Sequence, residues 1–159
     1  MDLKIGFGFD VHQLKEGYDL WIGGVKVPSE KGSVGHSDAD VLIHAICDAL
    51  LGAINFRDIG FHFPNTDPEY KGISSIKLLE KVCGFVKQHG FVVNNIDSTV
   101  SLETPKISDY IPEMKKTLAT VPCLSEEKIS IKATTTERLG FTGRKEGIAA
   151  QAVVLISKF

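Results

Sequence analysis

Residues 5–12, IGFGFDVH, alternate in character with a period of two. Successive side chains of a β-strand point to opposite faces, so this segment predicts a strand with two very different faces. One face carries Ile5, Phe7, Phe9 and Val11, and the other carries Gly6, Gly8, Asp10 and His12. The glycines indicate that another part of the fold packs close to the backbone on their face. Asp10 and His12 then point together from that face at the end of the strand.

The remainder of the chain alternates predicted strands and helices. Strand patterns cover residues 3–14, 19–27, 94–103, 129–136 and 147–159, and helical periodicity covers residues 36–52, 74–90 and 108–121. The 19–27 strand is expected to return across a short polar turn beside the first. No repeat or linker interrupts the chain, so residues 1–159 are interpreted as a single domain. The interleaving predicts an α+β fold with a mixed sheet and helices on one face, and it favours another subunit as the cover for the other face.

Local signals refine the first helix and the segment after it. Ser37 with Asp40 resembles a capping box, and Gly52 is expected to end the helix. Residues 53–73 contain too many Pro, Gly and Asp residues for regular structure. An irregular loop of that length in a small domain is usually functional.

Composition argues against several classes of function. A formal net charge of −2 and a pI near 6.2 give no basis for binding nucleic acid or a membrane surface. No apolar run approaches the roughly 18 residues that span a bilayer, and the N-terminus lacks a signal-peptide pattern. Cys47, Cys83 and Cys123 are widely spaced and odd in number, which predicts buried thiols without a disulfide framework or zinc knuckle and fits a reducing, cytoplasmic location.

Asp10 and His12 gain significance beside His44, which lies in the predicted first helix one turn before Asp48. An aspartate with two histidines suits a catalytic zinc ion, which keeps a fourth position open. The simpler interpretation is a strand-end histidine hydrogen-bonded to a neighbouring carboxylate. Asp48 has three alternative roles, as an acceptor for an imidazole N–H, an acceptor for a substrate hydroxyl, or a solvated carboxylate. The residues alone leave these alternatives open.

Two other segments have features that suit an anion. GHSD places His36 and Ser37 at a predicted helix N-terminus, where free N–H groups and the helix dipole favour negative charge. Simple capping accounts for the serine but not for the histidine. KATTTERLGFTGR combines three threonines, an acid, two glycines and an arginine, which suits a phosphate and metal site. Threonines at a strand end are also explained by β-propensity alone.

Five segments together resemble one enzyme family. FGFDVHQL, GHSDADVLIHAICDALLGA, DIGFHFPNTDPEYKG, TPKIS and KATTTERLGFTGRKEGIAA are similar, in order and spacing, to the 2-C-methyl-D-erythritol 2,4-cyclodiphosphate synthases of the non-mevalonate isoprenoid pathway. The resemblance implies a cytosolic homotrimer of α+β subunits, each with a mixed four-stranded sheet facing a central cavity. It also implies a phosphorus–oxygen lyase that converts 4-diphosphocytidyl-2-C-methyl-D-erythritol 2-phosphate to the cyclic diphosphate and CMP.

The resemblance assigns roles to individual residues. It implies one zinc ion per subunit at Asp10, His12 and His44, and a magnesium or manganese ion at Glu137 with the substrate diphosphate. It makes His36 and Thr135 the catalytic pair that polarises a phosphate. The substrate contacts that it implies lie in or beside the three later motifs: Asp58, Ile59, Gly60, Phe63, Pro64, Asn65, Thr66, Asp67, Leu102, Thr104, Pro105, Lys106, Ile107, Ser108, Ala133, Thr134, Phe141 and Arg144. Ser37 and Asp48 in the first predicted helix, and Thr136, are further expected substrate contacts.

Further expectations concern the assembly and the alternatives to this activity. The resemblance places Gly6 and Gly8 where sheets approach the threefold axis, and it places the cytidine pocket of one subunit against the zinc site of its neighbour. Asn65 departs from the family's usual FPDTDP, keeping an acceptor but losing a charge, which bears on substrate affinity. Two other functions are alternatives to this activity: a zinc phosphohydrolase, and a trimeric binding protein that holds an isoprenoid diphosphate around structural zinc.

Overall fold

The structure is a computed structural model and describes residues 2–159. The strands are β1 (Leu3–Glu16), β2 (Leu20–Ile22), β3 (Val25–Val27), β4 (Lys31–Ser33), β5 (Phe91–Ser101), β6 (Ile129–Thr134) and β7 (Gly147–Lys158). The helices are α1 (Val41–Ala53), α2 (Ile59–His62), α3 (Ser75–Gln88), α4 (Ile111–Leu118) and α5 (Gly140–Gly143), with 3₁₀ turns at Pro68–Tyr70, Ser108–Tyr110 and Glu126–Lys128. These elements confirm the α+β class.

Five strands form one mixed sheet in the order β4–β1–β7–β5–β6. β1 pairs antiparallel with β4 and β7, β7 pairs antiparallel with β5, and β5 pairs parallel with β6. The expectation of four strands is therefore wrong. The additional strand, β4, has three residues and is too short to carry a period-two pattern. It pairs with the end of β1, which continues to Glu16 beyond the predicted boundary.

The segment 19–27 does not form a strand beside β1, which corrects the predicted pairing. It folds into a separate two-stranded hairpin of β2 and β3. The reversal occurs at Gly23 and Gly24, whose φ angles of 60° and 76° lie in the left-handed region that glycine adopts without a steric penalty. Both glycine N–H groups donate to the buried carboxylate of Asp40, at 2.9 and 2.7 Å. The hairpin is thereby tied to the start of α1.

The predicted helices are present, with corrections at their ends. Asp40, not Ser37, is the N-cap of α1 and accepts from the N–H of Ile43 at 3.0 Å. α1 also continues past Gly52 to Ala53. The third predicted helix is shorter than 108–121 because its first residues form a 3₁₀ turn before α4. The 53–73 segment is less irregular than expected, since it contains α2 and a second 3₁₀ turn.

Gly6 and Gly8 lie directly beneath α1. A Cβ added to Gly6 would overlap the carbonyl oxygen of Ala49, and one added to Gly8 would overlap that of Ala45. The prediction that another element packs close to these glycines is confirmed. The element against them is a helix of the same chain, so this packing accounts for the glycines, and their position relative to a threefold axis stays a prediction. Close packing of α1 on β1 lets a side chain of the helix reach that strand.

The variant Gly8→Ala is expected to lower the free energy of unfolding by about 3 kcal/mol or more, because overpacking against rigid backbone exceeds the usual 1–3 kcal/mol cost of an extra methyl group. Gly84→Ala is the matched control. Gly84 lies within α3, and a Cβ there meets nothing within 4 Å. Removing a helical glycine should therefore stabilise the protein by roughly 0.5–1 kcal/mol. Urea unfolding of both variants measures the difference, and equal effects would contradict the close approach.

The face of the sheet opposite α1 is exposed and apolar. Ile5, Phe7 and Phe9 expose 70%, 62% and 50% of their surface, and Val153 on β7 continues the patch. Exposed apolar patches of this kind mark interaction surfaces in soluble proteins. The structure thus confirms helices on one face of the sheet and leaves the other face bare in the single chain. Within residues 2–159 it contains no helix long and apolar enough to cross a membrane.

The cysteines differ in part from the prediction. Cys83 on α3 and Cys123 after α4 are joined as a disulfide, which corrects the expectation of three unpaired thiols. The two residues are separated by 40 positions, so their proximity depends on how α3 packs against the segment after α4. Cys47 is a free, fully buried thiol as predicted, and burial raises its pKa.

Candidate active site

Three donor atoms converge within β1, on the face that α1 covers. Asp10 and His12 point from the same face of β1, and His44 reaches them from the first turn of α1. Oδ2 of Asp10 lies 2.9 Å from Nε2 of His12 and 3.1 Å from Nδ1 of His44, and the two ring nitrogens are 3.1 Å apart. The structure therefore brings the three predicted zinc ligands together.

The remaining ring nitrogens fix which atoms face this centre. Nδ1 of His12 lies 3.0 Å from the carbonyl oxygen of Val34, which can only accept, so that nitrogen donates and Nε2 is the atom that faces the centre. Nε2 of His44 faces the hydroxyls of Ser37 and Ser75, at 3.2 and 3.0 Å. Metal-bound histidines in proteins use their second nitrogen in this way.

The spacing and chemistry of these donors fit a divalent metal ion. Nitrogen and oxygen ligands at 2.0–2.2 Å in a tetrahedral site lie roughly 3.3 Å from one another, close to the separations found here. Three protein ligands also leave a fourth position for water or substrate. The triad of Asp10, His12 and His44 is thus a candidate metal site.

The charges of the triad are strongly coupled. Burial raises the pKa of Asp10, but hydrogen bonds from His12 and His44 outweigh it and lower that pKa to about 2. Burial lowers the pKa of His12, while the hydrogen bond and charge of Asp10 act in the opposite direction, and the net result is a raised pKa. The carboxylate thus draws positive charge to this point, which a metal cation supplies as well as a proton does.

Asp48 holds a different position from the one suggested by its spacing from His44. Its Oδ1 accepts from the backbone N–H of Ile59 at 2.7 Å and so anchors the start of α2. Burial, with the charges of Asp58 and Asp10, raises its pKa against the effect of that hydrogen bond. The acceptor nearer to the His44 ring is Ser75, which corrects the alternative that Asp48 serves this imidazole. Its contact with a substrate hydroxyl stays a prediction.

The triad opens into a cavity of about 320 Å³ between β1 and the α2 segment. His36 lines it, with Nε2 3.2 Å from the carbonyl oxygen of Asp67. Predicted substrate contacts that line the same cavity are Ser37, Ile59, Gly60, Phe63 and Asn65. Among the predicted residues outside its lining, Asp58 and Asp67 occupy the N-cap positions of the short helical turns, and Asp67 accepts from the N–H of Glu69 there. The sequence interpretation missed Val34, Gly35, Tyr70 and Leu78, which carry no chemical signature of their own.

A second cavity, of about 240 Å³, lies near the β6 edge of the sheet, beside the ends of β5 and β6. Its predicted members are Leu102, Pro105, Lys106, Ile107, Ser108, Ala133, Thr134 and Thr135, and it also includes Glu103, which lies within the predicted 102–108 segment. Thr104 instead lines a neighbouring cavity with Lys31 and Lys145. Within the described residues, the cavities holding His36 and Thr135 have no lining residue in common.

The TTTERLG segment forms a tight turn above the second cavity. Glu137 and Arg138 have φ angles of 54° and 63°, and the carboxylate of Glu103 accepts from the N–H groups of Thr136 and Arg138 at 3.4 and 3.2 Å. This turn leaves the Glu137 side chain exposed. After the turn, exposed Phe141 and Arg144 follow, with Arg144 paired to Glu146 at 2.9 Å.

Comparison with known proteins gives a consistent result. Residues 3–157 match the YgbB family. The chain is 58% identical over 158 residues to the 2-C-methyl-D-erythritol 2,4-cyclodiphosphate synthase of Bacteroides thetaiotaomicron, with 99% of each protein covered. It is 60% identical over 153 residues to that of Porphyromonas gingivalis, covering 96% of this chain and 94% of the relative.

Solved structures agree with the sequence relatives. The fold matches bifunctional IspDF from Campylobacter jejuni with a TM-score of 0.95 and 41% identity, covering 99% of this chain but only 43% of that protein. It matches a 2C-methyl-D-erythritol-2,4-cyclodiphosphate synthase in its CDP-bound form with a TM-score of 0.89 and 33% identity, covering 97% and 100% of the two chains. The similarity thus extends over nearly the whole chain.

Proposed function

Since the chain belongs to the YgbB family, the family of the 2-C-methyl-D-erythritol 2,4-cyclodiphosphate synthases, we propose that it converts 4-diphosphocytidyl-2-C-methyl-D-erythritol 2-phosphate to the 2,4-cyclodiphosphate and CMP. An oxygen of the 2-phosphate bonds to the β-phosphorus, the bond from that phosphorus to the CMP oxygen breaks, and its electron pair leaves with CMP. The observation that carries the proposal is the convergence of Asp10, His12 and His44 in the cavity that His36 also lines.

The main obstacle to this reaction is electrostatic repulsion between phosphates. Each pair of like charges about 4 Å apart costs about 4 kcal/mol at an effective dielectric constant near 20, whereas a neutral hydrogen bond offsets about 1 kcal/mol. Zinc held by the triad of Asp10, His12 and His44, with magnesium or manganese held at Glu137, would supply the positive charge and polarise the phosphoryl oxygens. Lys106, exposed at the second cavity, adds a further positive charge.

The protein's other contribution is orientation. His36 donates toward a phosphate in the first cavity, and Thr135 does so from the turn beside the second. Because the attacking phosphate is already an anion at neutral pH, the reaction needs no strong general base. The residues therefore hold the attacking oxygen in line with the leaving group, which is the usual division of work in phosphoryl transfer.

The proposal includes a cytoplasmic homotrimer with active sites shared between subunits. Two observations support an assembly with shared sites: the two cavities of one chain are separate, and the exposed apolar face of β1 and β7 needs a cover. Head-to-tail contacts around a threefold axis close into a ring and give one composite site per contact. The three sheets would then face a central cavity lined by Ile5, Phe7 and Phe9.

Product analysis in ¹⁸O-labelled water tests the proposed reaction. Cyclisation releases one CMP per cyclic diphosphate and consumes no water, so neither product should contain ¹⁸O by mass spectrometry. A zinc phosphohydrolase would instead incorporate one labelled oxygen per turnover. A binding protein would release no CMP. Either of those results would contradict the proposal.

Zinc binding is expected to release more protons at pH 5.5 than at pH 8. The raised pKa of His12 keeps its ring protonated in mild acid, and zinc must displace that proton, whereas Asp10, with a pKa of about 2, is ionised at both pH values. Zinc affinity should accordingly fall as the pH falls through the pKa of His12. Titration calorimetry in buffers of different ionisation enthalpy counts the protons, and equal release at both pH values would contradict the assignment of His12 as a ligand.

A further inference from the structure

The ring of His44 makes polar contacts at both nitrogens. Nδ1 faces Asp10 and His12 at the candidate metal site. Nε2 lies 3.0 Å from Oγ of Ser75 and 3.2 Å from Oγ of Ser37. Because a neutral ring carries one proton, the group that accepts at Nε2 decides whether Nδ1 is free to bind a metal.

Of the two serines, Ser75 is the better acceptor for Nε2, because its hydroxyl is hydrogen-bonded to Asp38. Oδ1 of Asp38 accepts the hydroxyl proton of Ser75 in a short hydrogen bond, and Oδ2 accepts the backbone N–H of Ser75 at 2.8 Å. A carboxylate can only accept, so the Ser75 hydroxyl points its proton at Asp38 and turns a lone pair toward His44. Ser75 is fully buried, which excludes water as a competing partner for its hydroxyl.

The contact with Ser37 differs in this respect. Its hydroxyl oxygen accepts from the backbone N–H of Ala39 at 3.2 Å and is half-buried. No carboxylate fixes its proton among the hydrogen bonds of residues 2–159. The Ser37 hydroxyl thus lies at nearly the same distance from Nε2 of His44 as the Ser75 hydroxyl does, but its proton has no fixed direction.

We propose that Ser75 and Asp38 are positioning residues for the metal ligand His44. Asp38 orients the Ser75 hydroxyl, the hydroxyl holds the proton of His44 on Nε2, and the lone pair of Nδ1 is thereby directed at the metal. The inference rests on the proposed metal site and adds two residues from outside its ligand set. Partners of this kind typically change metal affinity 10- to 100-fold when they are removed.

A purely structural role is the alternative, since Asp38 also accepts from the first N–H group of α3. The variant Ser75→Ala separates the two roles. It removes the hydroxyl but keeps the backbone N–H that bonds to Asp38, so the start of α3 retains its partner. Asp38→Asn acts on the other end of the pair, because one amide oxygen cannot accept from both the N–H and the hydroxyl.

The experiment measures the zinc affinity of the purified protein by competition with a chromophoric chelator. Ser75→Ala and Asp38→Asn should each bind zinc 10- to 100-fold more weakly than the parent, and the double variant should bind no more weakly than the weaker single variant. The control Ser37→Ala should change the affinity less than threefold. Cobalt(II) substitution should show a changed visible absorption spectrum in Ser75→Ala and the parent spectrum in Ser37→Ala.

Several results would overturn the inference. Unchanged zinc affinity in Ser75→Ala, equal losses in Ser75→Ala and Ser37→Ala, or additive losses in the double variant would each show that Asp38 does not act on His44 through Ser75. If the parent binds zinc and His44→Ala does not, these results count against the positioning role alone. If zinc binding by the parent does not depend on His44, the metal site itself is wrong and the positioning role is wrong with it.

Discussion

Replacing His44 with alanine is expected to remove the bound zinc and to lower turnover by about a thousandfold or more. The triad loses one of three donors, and the two that remain lie on one strand without the partner that completes the tetrahedral arrangement. Metal-assisted charge stabilisation contributes several kcal/mol to phosphoryl transfer, and each 1.4 kcal/mol corresponds to a factor of ten in rate. Metal analysis of the purified protein and an assay of CMP release measure the two losses.

His89→Ala is the matched control for this variant. His89 is exposed at the end of α3 and hydrogen-bonds only locally, to the carbonyl of Phe85 at 2.8 Å. The control should keep full zinc content and activity. Circular dichroism should show both variants folded, since His44 is half-buried among polar groups and makes no part of the apolar core. A folded His44→Ala protein that retained one zinc ion per chain would refute the ligand assignment.

Two local periodicities predict how the members of the metal triad face, and the family resemblance supplies their grouping as one ligand set. The period of two places Asp10 and His12 on one face of β1, and the glycines on that face indicate a close neighbour. The period of the helix leaves His44 on the side of α1 that meets β1. Each signal lies within about ten residues of the chain, which is the range over which patterns of this kind are reliable.

The period-two pattern of β1 shows which face of the strand is closely packed, but not which element packs against it. The resemblance attributes the glycines to a threefold axis, whereas the structure places α1 of the same chain against them. The pattern at 19–27 predicts one strand, whereas Gly23 and Gly24 reverse the chain there and form a hairpin. The identity of a packing partner is a tertiary property that a local period does not contain.

Two supporting roles were missed because tertiary packing brings the residues to the site. Ser75 lies 31 positions after His44 and begins α3, where a serine is readily explained as a helix-start residue. Glu103 supports the 136–138 turn from 33 to 35 positions away. The sequence around each residue does not predict its supporting role, so the hydrogen bonds of Ser75 to His44 and of Glu103 to the turn are seen only in the folded structure.

Mixing two inactive variants is expected to restore activity, and this result would show where each active site lies. His44→Ala subunits lack the metal triad, while Lys106→Ala subunits lack a charge at the second cavity. If each site joins the first cavity of one subunit to the second cavity of the next, a 1:1 mixture yields some contacts with both halves intact. Random assortment in a threefold ring makes about a quarter of all contacts intact, so about a quarter of the parent activity should return.

The decisive control places the same two substitutions together in one chain. Subunits carrying both His44→Ala and Lys106→Ala are mixed 1:1 with the parent, and subunit exchange is verified by native mass spectrometry. A shared site again predicts about a quarter of the parent activity, because both neighbours at a contact must be intact. A site contained in one chain predicts about half in this control and none in the first mixture, because every chain there carries a defect. The two mixtures therefore give equal activities only if the separate cavities of one chain are halves of sites completed by its neighbours.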